Sequence, residues 1–267
     1  MFLGFLDEAD HTTNNNFTVC GLTIIPLSNA EKISHEIDKL RSSCEAFGPE
    51  DTLKFSTSSK PMGCSDAQYR NLKNETIKIA ARNGASFLGY CRFNVKYPKP
   101  DPDRNRLFGF NTLLGKYQDF LIENSSFGLV QVDRLDFSKN TKNTYRDGFY
   151  YLREKFQKGN EYPKEGKHKK LSNIISYSMS TEGTSHLSSI NDILTGGLRY
   201  IANGDNPIAR SSIQEQLETL MWRSKNNRFH EHGFTLRPQD RSGLPPTVVA
   251  EYDALRNFLN ANYSSRE

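Results

Sequence analysis

Four acidic residues stand where the sequence meets apolar runs. Asp7 and Glu8 follow directly on MFLGFL (1–6), Asp133 ends FGLVQVD (127–133), and Asp192 sits beside Ile190, Ile193 and Leu194 in SHLSSINDILTGGLRYIAN (185–203). An isolated ionised carboxylate next to apolar core is expensive. Gathering such groups at one edge of a sheet makes sense when a cation offsets their mutual repulsion. Hard oxygen donors with no Cys or His alternative select Mg²⁺ or Mn²⁺. A pair of such ions about 4 Å apart hydrolyses phosphodiesters, one activating water and the other steadying the leaving oxygen. Each carboxylate also has a plainer reading. An Asp just past a strand serves as a turn or N-cap residue, which covers Asp133 and the nearby Asp136. A carboxylate on an amphipathic helix often belongs to its solvated face, which covers Asp192. Spacing alone does not bring these positions together; strand order must.

Other polar residues add candidates of a different kind. His186 starts the helix that carries Asp192 and is a proton shuttle or a capping or surface histidine. KEGKHKK (164–170) supplies Lys164, Lys167, Lys169 and Lys170, and Arg104 and Arg106 flank a Pro-rich stretch; these are phosphate contacts or solvated surface. His230-Glu231-His232 has no third ligand nearby and reads as a solvated loop.

The elements that must position these groups follow from apolar periodicity. MFLGFL and FTVCGLTIIP (17–26) read as strands joined by a short loop, hence an antiparallel hairpin. Ser28 is an N-cap candidate for a helix carrying Ile33, Ile37 and Leu40 and closed by Gly48-Pro49, and a second helix runs from Ser65-Asp66 to Asn83-Gly84. ASFLGYCRFNVKY (85–97), FGLVQVD and LSNIISYSMS (171–180) are further strands, and KGNEYPKEGKHKK (158–170) is a polar loop. Helices are expected over 106–124, 141–157, 185–203, 209–224 and 246–262. The sum is an α/β chain with a mixed five-stranded sheet flanked by helices. Its hairpin part is antiparallel and its helical crossovers are parallel and right-handed. One domain is expected over 1–267, with a helical arm inserted at about 28–84 and a helical extension over about 205–267.

Composition bounds the class. Seventeen Phe and twelve Tyr supply enough apolar area to exclude disorder throughout. No run approaches the ~18 apolar residues of a membrane span, and MFLGFLDEAD lacks the basic head of a secretory signal. Cys20, Cys44, Cys64 and Cys91 show no metal-knuckle spacing and are too sparse for a disulfide scaffold, so reduced, buried thiols in a cytoplasmic protein are expected. A net charge of +4 permits a nucleic-acid partner without demanding one.

FLDEAD (5–10) resembles the Asp-Glu-small opening of domain-of-unknown-function family 3800, a family with an expected ribonuclease H-like fold. LKFST (53–57) is similar to its Lys-containing motif, VQVDRL (130–135) to its internal strand ending in Asp, SSINDILTGGL (188–198) to its late helix, and GFTLRPQD (233–240) to a C-terminal Arg-Pro element. The order holds over residues 3–203. The sequence departs from the pattern at Ala9, Thr52, Ser189 and Asn191. The resemblance implies Asp7, Asp133 and Asp192 as metal ligands, Glu8 as a further ligand or base, and Lys54 as a cation facing the scissile phosphate. Without the resemblance, Lys54 is an exposed loop lysine. A context in mobile elements or antiviral defence is likewise implied only by the resemblance. Three functions compete: a Mg²⁺- or Mn²⁺-dependent nuclease acting on DNA or RNA, a catalytically silent module of the same fold that holds nucleic acid or a protein partner, and a hydrolase of small phosphorylated substrates.

Overall fold

The computed structural model describes residues 1–9, 15–48, 50–94, 102–133, 148–162, 167–180, 185–223, 225, 227, 229–239 and 244–261. Its strands are β1 (Phe2–Ala9), β2 (Phe17–Pro26), β3 (Ser86–Phe93), β4 (Gly128–Asp133), β5 (Asn160–Tyr162), β6 (Lys167–Lys169), β7 (Ile174–Ser180) and β8 (Phe234–Arg237). Its helices are α1 (Leu27–Ser42), α2 (Asp66–Arg82), α3 (Pro102–Glu123), α4 (Gly148–Lys158), α5 (His186–Asn203), α6 (Pro207–Glu218) and α7 (Pro246–Ala261). None of the described helices is long and apolar enough to cross a membrane.

The main sheet runs β7-β4-β1-β2-β3-β8. β2 pairs antiparallel with both β1 and β3, β4 lies parallel to β1, and β7 lies parallel to β4. This is the mixed sheet expected, except that it has six strands and not five. The sixth, β8, pairs parallel with β3 at the edge. Four residues, FTLR, are too few to show an alternation, so the stretch passes for part of a helical extension. The segment 158–170 also departs from expectation, because β5 and β6 form a separate antiparallel hairpin. Two side chains tether it to α3. Asn160 donates to the Asn111 carbonyl at 2.6 Å, and Lys169 pairs with Asp119. Such polar tethers leave no periodic signal.

β2 is buried on both faces along nearly its whole length, as a central strand should be. Its alternation sorts the core into two layers. Cys20, Leu22 and Ile24 point to the side where α3 packs through Phe110, Leu114 and Tyr117, with Tyr151 and Leu152 of α4. Val19 and Ile25 point to the side covered by α1, α2 and α5, where Ile33, Tyr69, Ile190 and Leu194 meet. The helical insertion between β2 and β3 therefore packs into this second layer. α1 begins at Leu27 with no side-chain cap, and Ser28 lies within its first turn. α2 and α5 start as their sequences suggest, on the capping boxes Ser65/Gln68 and Ser185/Ser188. All four cysteines are free and buried.

Candidate functional site

β1 and β4 run side by side with Phe5 opposite Gln131 and Leu6 opposite Val132. The next residues along are Asp7, two residues before the end of β1, and Asp133, the last residue of β4. Asp133 in turn stands opposite Ser180 on β7. Neighbouring strands are about 4.8 Å apart, so one row of polar side chains crosses three parallel strands. In open α/β sheets the carboxyl ends of parallel strands are where ligands bind. Because side chains alternate, Phe5 and Asp7 share the face that packs against α5, while Leu6 and Glu8 share the face that packs against α3.

α5 lies close over that first face because β2 offers no side chain at Gly21. A Cβ there would fall 2.1 Å from Thr195 Oγ1. Thr23 of β2 donates to Asn191 Oδ1 at 2.8 Å and fixes the helix lengthwise. One turn from Asp192, Gly196 admits the Phe55 side chain, whose Cβ would lie 2.4 Å from a methyl at that position. Phe55 is thereby seated so that its N–H donates to Asp192 Oδ2 at 2.6 Å. Its neighbour Lys54 is held by its backbone: its N–H donates to the Tyr69 hydroxyl, and that hydroxyl donates to its carbonyl, both at 3.0 Å. The outcome is a small cavity of about 30 Å³ lined by Asp7, Asp133, Asp192, Lys54, Gln131 and Ser180 among others. That volume takes an ion or a water, not a nucleotide.

Asp7 carries the electrostatic signature of the cavity. Burial holds its carboxyl well above the usual carboxylate range, and the charges of Glu8, Asp133 and Asp192 push it further in the same direction. The donor set is all oxygen, with the amide of Gln131 donating to Ser180 Oγ at 2.6 Å behind the carboxylates. In kind, these donors fit a hard divalent cation, and the suppressed acidity of Asp7 is what a nearby positive charge would relieve. The expected convergence of three carboxylates on one point is not formed, however. Among the described residues, no three His, Cys, Asp or Glu side chains stand close enough to clasp one ion. Asp192 is drawn toward the Phe55 N–H, and Asp7 Oδ1 accepts from the N–H of Glu8 at 2.7 Å. The carboxylates thus ring the cavity rather than close on a single centre.

The other candidates scatter. Glu8 faces the opposite layer, where its Oε1 accepts from Arg106 at 2.7 Å. It is therefore no partner of Asp7 at the cavity, and Arg106, 1% exposed, is out of reach of a phosphate backbone. His186 is engaged by α1: Arg41 donates to its Nδ1 at 2.9 Å, and Nε2 lies 3.5 Å from Asp38. Burial, reinforced by the Arg41 charge, pushes its imidazole below the ordinary value. It does not line the cavity, so it has no place there as a proton shuttle. Lys169 is tied to Asp119 and to the Gly115 carbonyl of α3, on the far side of the sheet. Lys170 and Arg104 are exposed, the latter with its guanidinium over Phe108. Lys167 lies in β6. Asp136 and Lys164 fall outside the described residues. His230, Glu231 and His232 form no metal cluster, since Glu231 takes a two-pronged bond from Arg237 and His232 sits edge-on to Trp222.

Gln131 and Ser180 are site residues that motif reasoning misses. The signal for Gln131 is strand alternation, which puts it on the face of Asp133 two residues on.

No protein-family model matches the chain, and no curated protein matches it. Among solved structures it is similar to a chain of the complex of PCNA with ribonuclease HII from Archaeoglobus fulgidus, at 12% identity and a TM-score of 0.34 over 95% of this chain and 89% of that one. It is also similar to ribonuclease H2 from Pyrococcus horikoshii OT3, at 14% identity and a TM-score of 0.36 over 98% of this chain and 99% of that one.

Proposed function

We propose that the chain is a divalent-metal-dependent phosphodiester hydrolase acting on nucleic acid, with Asp7 and Asp133 holding a Mg²⁺ or Mn²⁺ ion. The observation that carries this reading is the single cavity at the ends of parallel β1 and β4 that Asp7, Asp133, Asp192 and Lys54 line together. When bound, such an ion supplies Lewis-acid activation of water and neutralises charge on the phosphate. The chain's own residues do the rest. Lys54, on a backbone clamped by Tyr69, offers a positive charge to the phosphate. Asp192, across the cavity, accepts a proton from the attacking water. Gln131, bonded to Ser180 across β4 and β7, forms the polar wall beside the carboxylates. The motifs resembling domain-of-unknown-function family 3800 are consistent with this assignment.

The test is cleavage of labelled RNA, DNA and RNA–DNA hybrid with Mn²⁺ or Mg²⁺. Asp7→Asn and Asp133→Asn should abolish cleavage, and Lys54→Ala should slow it, with the fold intact. Cleavage that survives excess chelator, or persists in Asp7→Asn, refutes the reading. A second reading, a catalytically silent module that binds nucleic acid or a protein, is favoured by the lack of a three-donor clasp among the described residues. Mn²⁺ separates the two: it raises the Tm of wild type but not of Asp7→Asn under the first reading, and of neither under the second.

A further inference from the structure

A second and much larger cavity, of about 740 Å³, lies between α2, α5, α6 and the segment 55–57. It falls within the range of about 300–1,000 Å³ usual for small-molecule sites. Its floor is apolar, formed by Ile77, Ile193, Ile213 and Leu217. Gly197 keeps the floor low, since even one methyl there would stand 3.1 Å from Ile213 Cγ2. Two rings, Phe55 and Tyr200, line the same space with their centroids 6.4 Å apart. The charged residues lining it are Arg70, Lys73 and Arg199, and no lining residue is acidic. On the rim, Ile208 holds an apolar side chain 82% exposed to solvent.

The two cavities share a wall. Phe55 lines the large one, and its N–H donates to Asp192, which lines the small one. Lys73 donates from Nζ to the Phe55 carbonyl at 2.8 Å and lies 5.0 Å from its ring, so a cation stands at the junction. An occupant must therefore combine a flat apolar body, an anionic group, and a continuation toward Lys54 and Asp192. From these features we infer that this cavity receives an unpaired nucleotide of a nucleic-acid strand. Its base lodges against Tyr200 and the apolar floor, its phosphate meets Arg70 and Lys73, and the adjoining phosphodiester is carried to the carboxylate cavity. A base stacked within a duplex cannot enter a recess between helices, so the site selects single-stranded or flipped-out nucleotides. Only the placement of the scissile bond rests on the hydrolytic reading; the binding does not.

The experiment is fluorescence anisotropy with the full chain in excess chelator, so that no cleavage intervenes. The probes are labelled single-stranded 12-mers of RNA and of DNA, a blunt 12-base-pair duplex, and AMP as a competitor. The expected result is single-strand binding at least tenfold tighter than duplex binding. Tyr200→Ala should weaken it about tenfold. Arg70→Ala should weaken it and reduce the slope of log K against log salt by about 0.7. Ala209→Trp, which fills the cavity from α6, should remove the preference for single strands. Thermal melting checks that each variant is folded. Equal affinity for duplex and single strand, or an unchanged single-strand Kd in folded Tyr200→Ala and Arg70→Ala, overturns the inference. Binding of AMP without binding of either 12-mer also overturns it. Intact binding without Mn²⁺-dependent cleavage would count against the hydrolytic reading alone; intact cleavage without the single-strand preference would count against this one alone.

Discussion

Gly196→Ala tests whether the carboxylate cavity depends on the close approach of α5 to the segment bearing Lys54. An ideal Cβ at residue 196 would meet Phe55 at Cβ, Cγ and Cδ1, at 2.4, 2.5 and 2.8 Å. Two of those atoms are the stiff root of the side chain, so a rotamer change does not relieve the overlap; the segment itself must move. Overpacking of this kind costs about 1–3 kcal/mol. Alanine recovers about 1 kcal/mol of helix propensity over glycine, which leaves a net loss of about 2 kcal/mol at the upper end. For a chain of this size that lowers Tm by about 4–8 °C. Moving Phe55 also breaks its N–H bond to Asp192 and shifts Lys54, so cleavage and the Mn²⁺-induced rise in Tm should both fall. Gly197→Ala is the control. Its methyl would meet Ile213 Cγ2 at 3.1 Å, a single contact that a shift of a few tenths of an ångström relieves, so it should lower Tm less than Gly196→Ala or leave it level. Urea denaturation gives the stabilities and differential scanning fluorimetry the response to Mn²⁺. A Gly196→Ala protein as stable as Gly197→Ala, with an unaltered Mn²⁺ response, would refute the claim that this contact sets the site.

Asp7→Asn should raise stability at neutral pH in the presence of chelator. Burial and the neighbouring carboxylates hold the folded-state pKa above its unfolded value of about 3.9, so ionising Asp7 costs stability as pH rises from there through the folded value. The gain should vanish below about pH 4, and Tm measured across pH reads it; a variant less stable at pH 7 contradicts the reasoning. Tyr69→Phe removes the hydroxyl that serves both the N–H and the carbonyl of Lys54, and should cost about 1–3 kcal/mol in urea titration. It should also slow cleavage more than Gly197→Ala does. Arg106→Met leaves Glu8 buried without its guanidinium and should cost about 3–5 kcal/mol. Adding Glu8→Leu should restore most of that, with cleavage retained; a double variant as unstable as the single one would show that Arg106 matters for another reason.

Much of the architecture was readable because the central strands leave no choice. FTVCGLTIIP is apolar on both faces, and only a strand covered twice needs that. The helix carrying Asp192 announces itself by Ser185 at its cap and by its apolar stripe. Asp7 and Asp133 line one cavity because each follows an apolar run whose burial is dictated by composition, whereas Lys54, which lines it too, stands in a stretch without such a run. What could not be read depends on contacts between residues far apart in sequence. β8 is defined by its pairing with β3, not by its own four residues. The cations beside the large cavity, Arg70, Lys73 and Arg199, come from two helices whose facing sides are set by packing. The basic run at 164–170 is dense in sequence, yet Lys169 from it is paired with Asp119 on α3. Linear charge density marks solvent exposure more reliably than it marks a binding face.

The Asp7–Glu8 pair shows how one step along a strand divides two tasks. Adjacent carboxylates read as a double signal for metal binding, yet a strand sends consecutive side chains to opposite layers. Glu8 is delivered to α3, where a guanidinium 1% exposed meets it. That pairing compensates one negative charge within the fold. Asp7 is delivered to α5, where its described neighbours include further carboxylates and its acidity is suppressed. A protein that neutralised both charges internally would have no electrostatic reason to admit a cation. One that neutralised neither would carry two repelling charges within one hydrogen-bonded strand. Satisfying Glu8 from the far layer anchors the end of β1 and leaves the imbalance at Asp7 alone, facing the cavity. Exchanging the two residues, Asp7→Glu with Glu8→Asp, keeps the charge and the composition but shortens the acid that meets Arg106 and lengthens the one in the cavity. If this division of labour is right, the exchange should cost stability through the first change and Mn²⁺ response through the second, and reverting either position alone should restore only its own property.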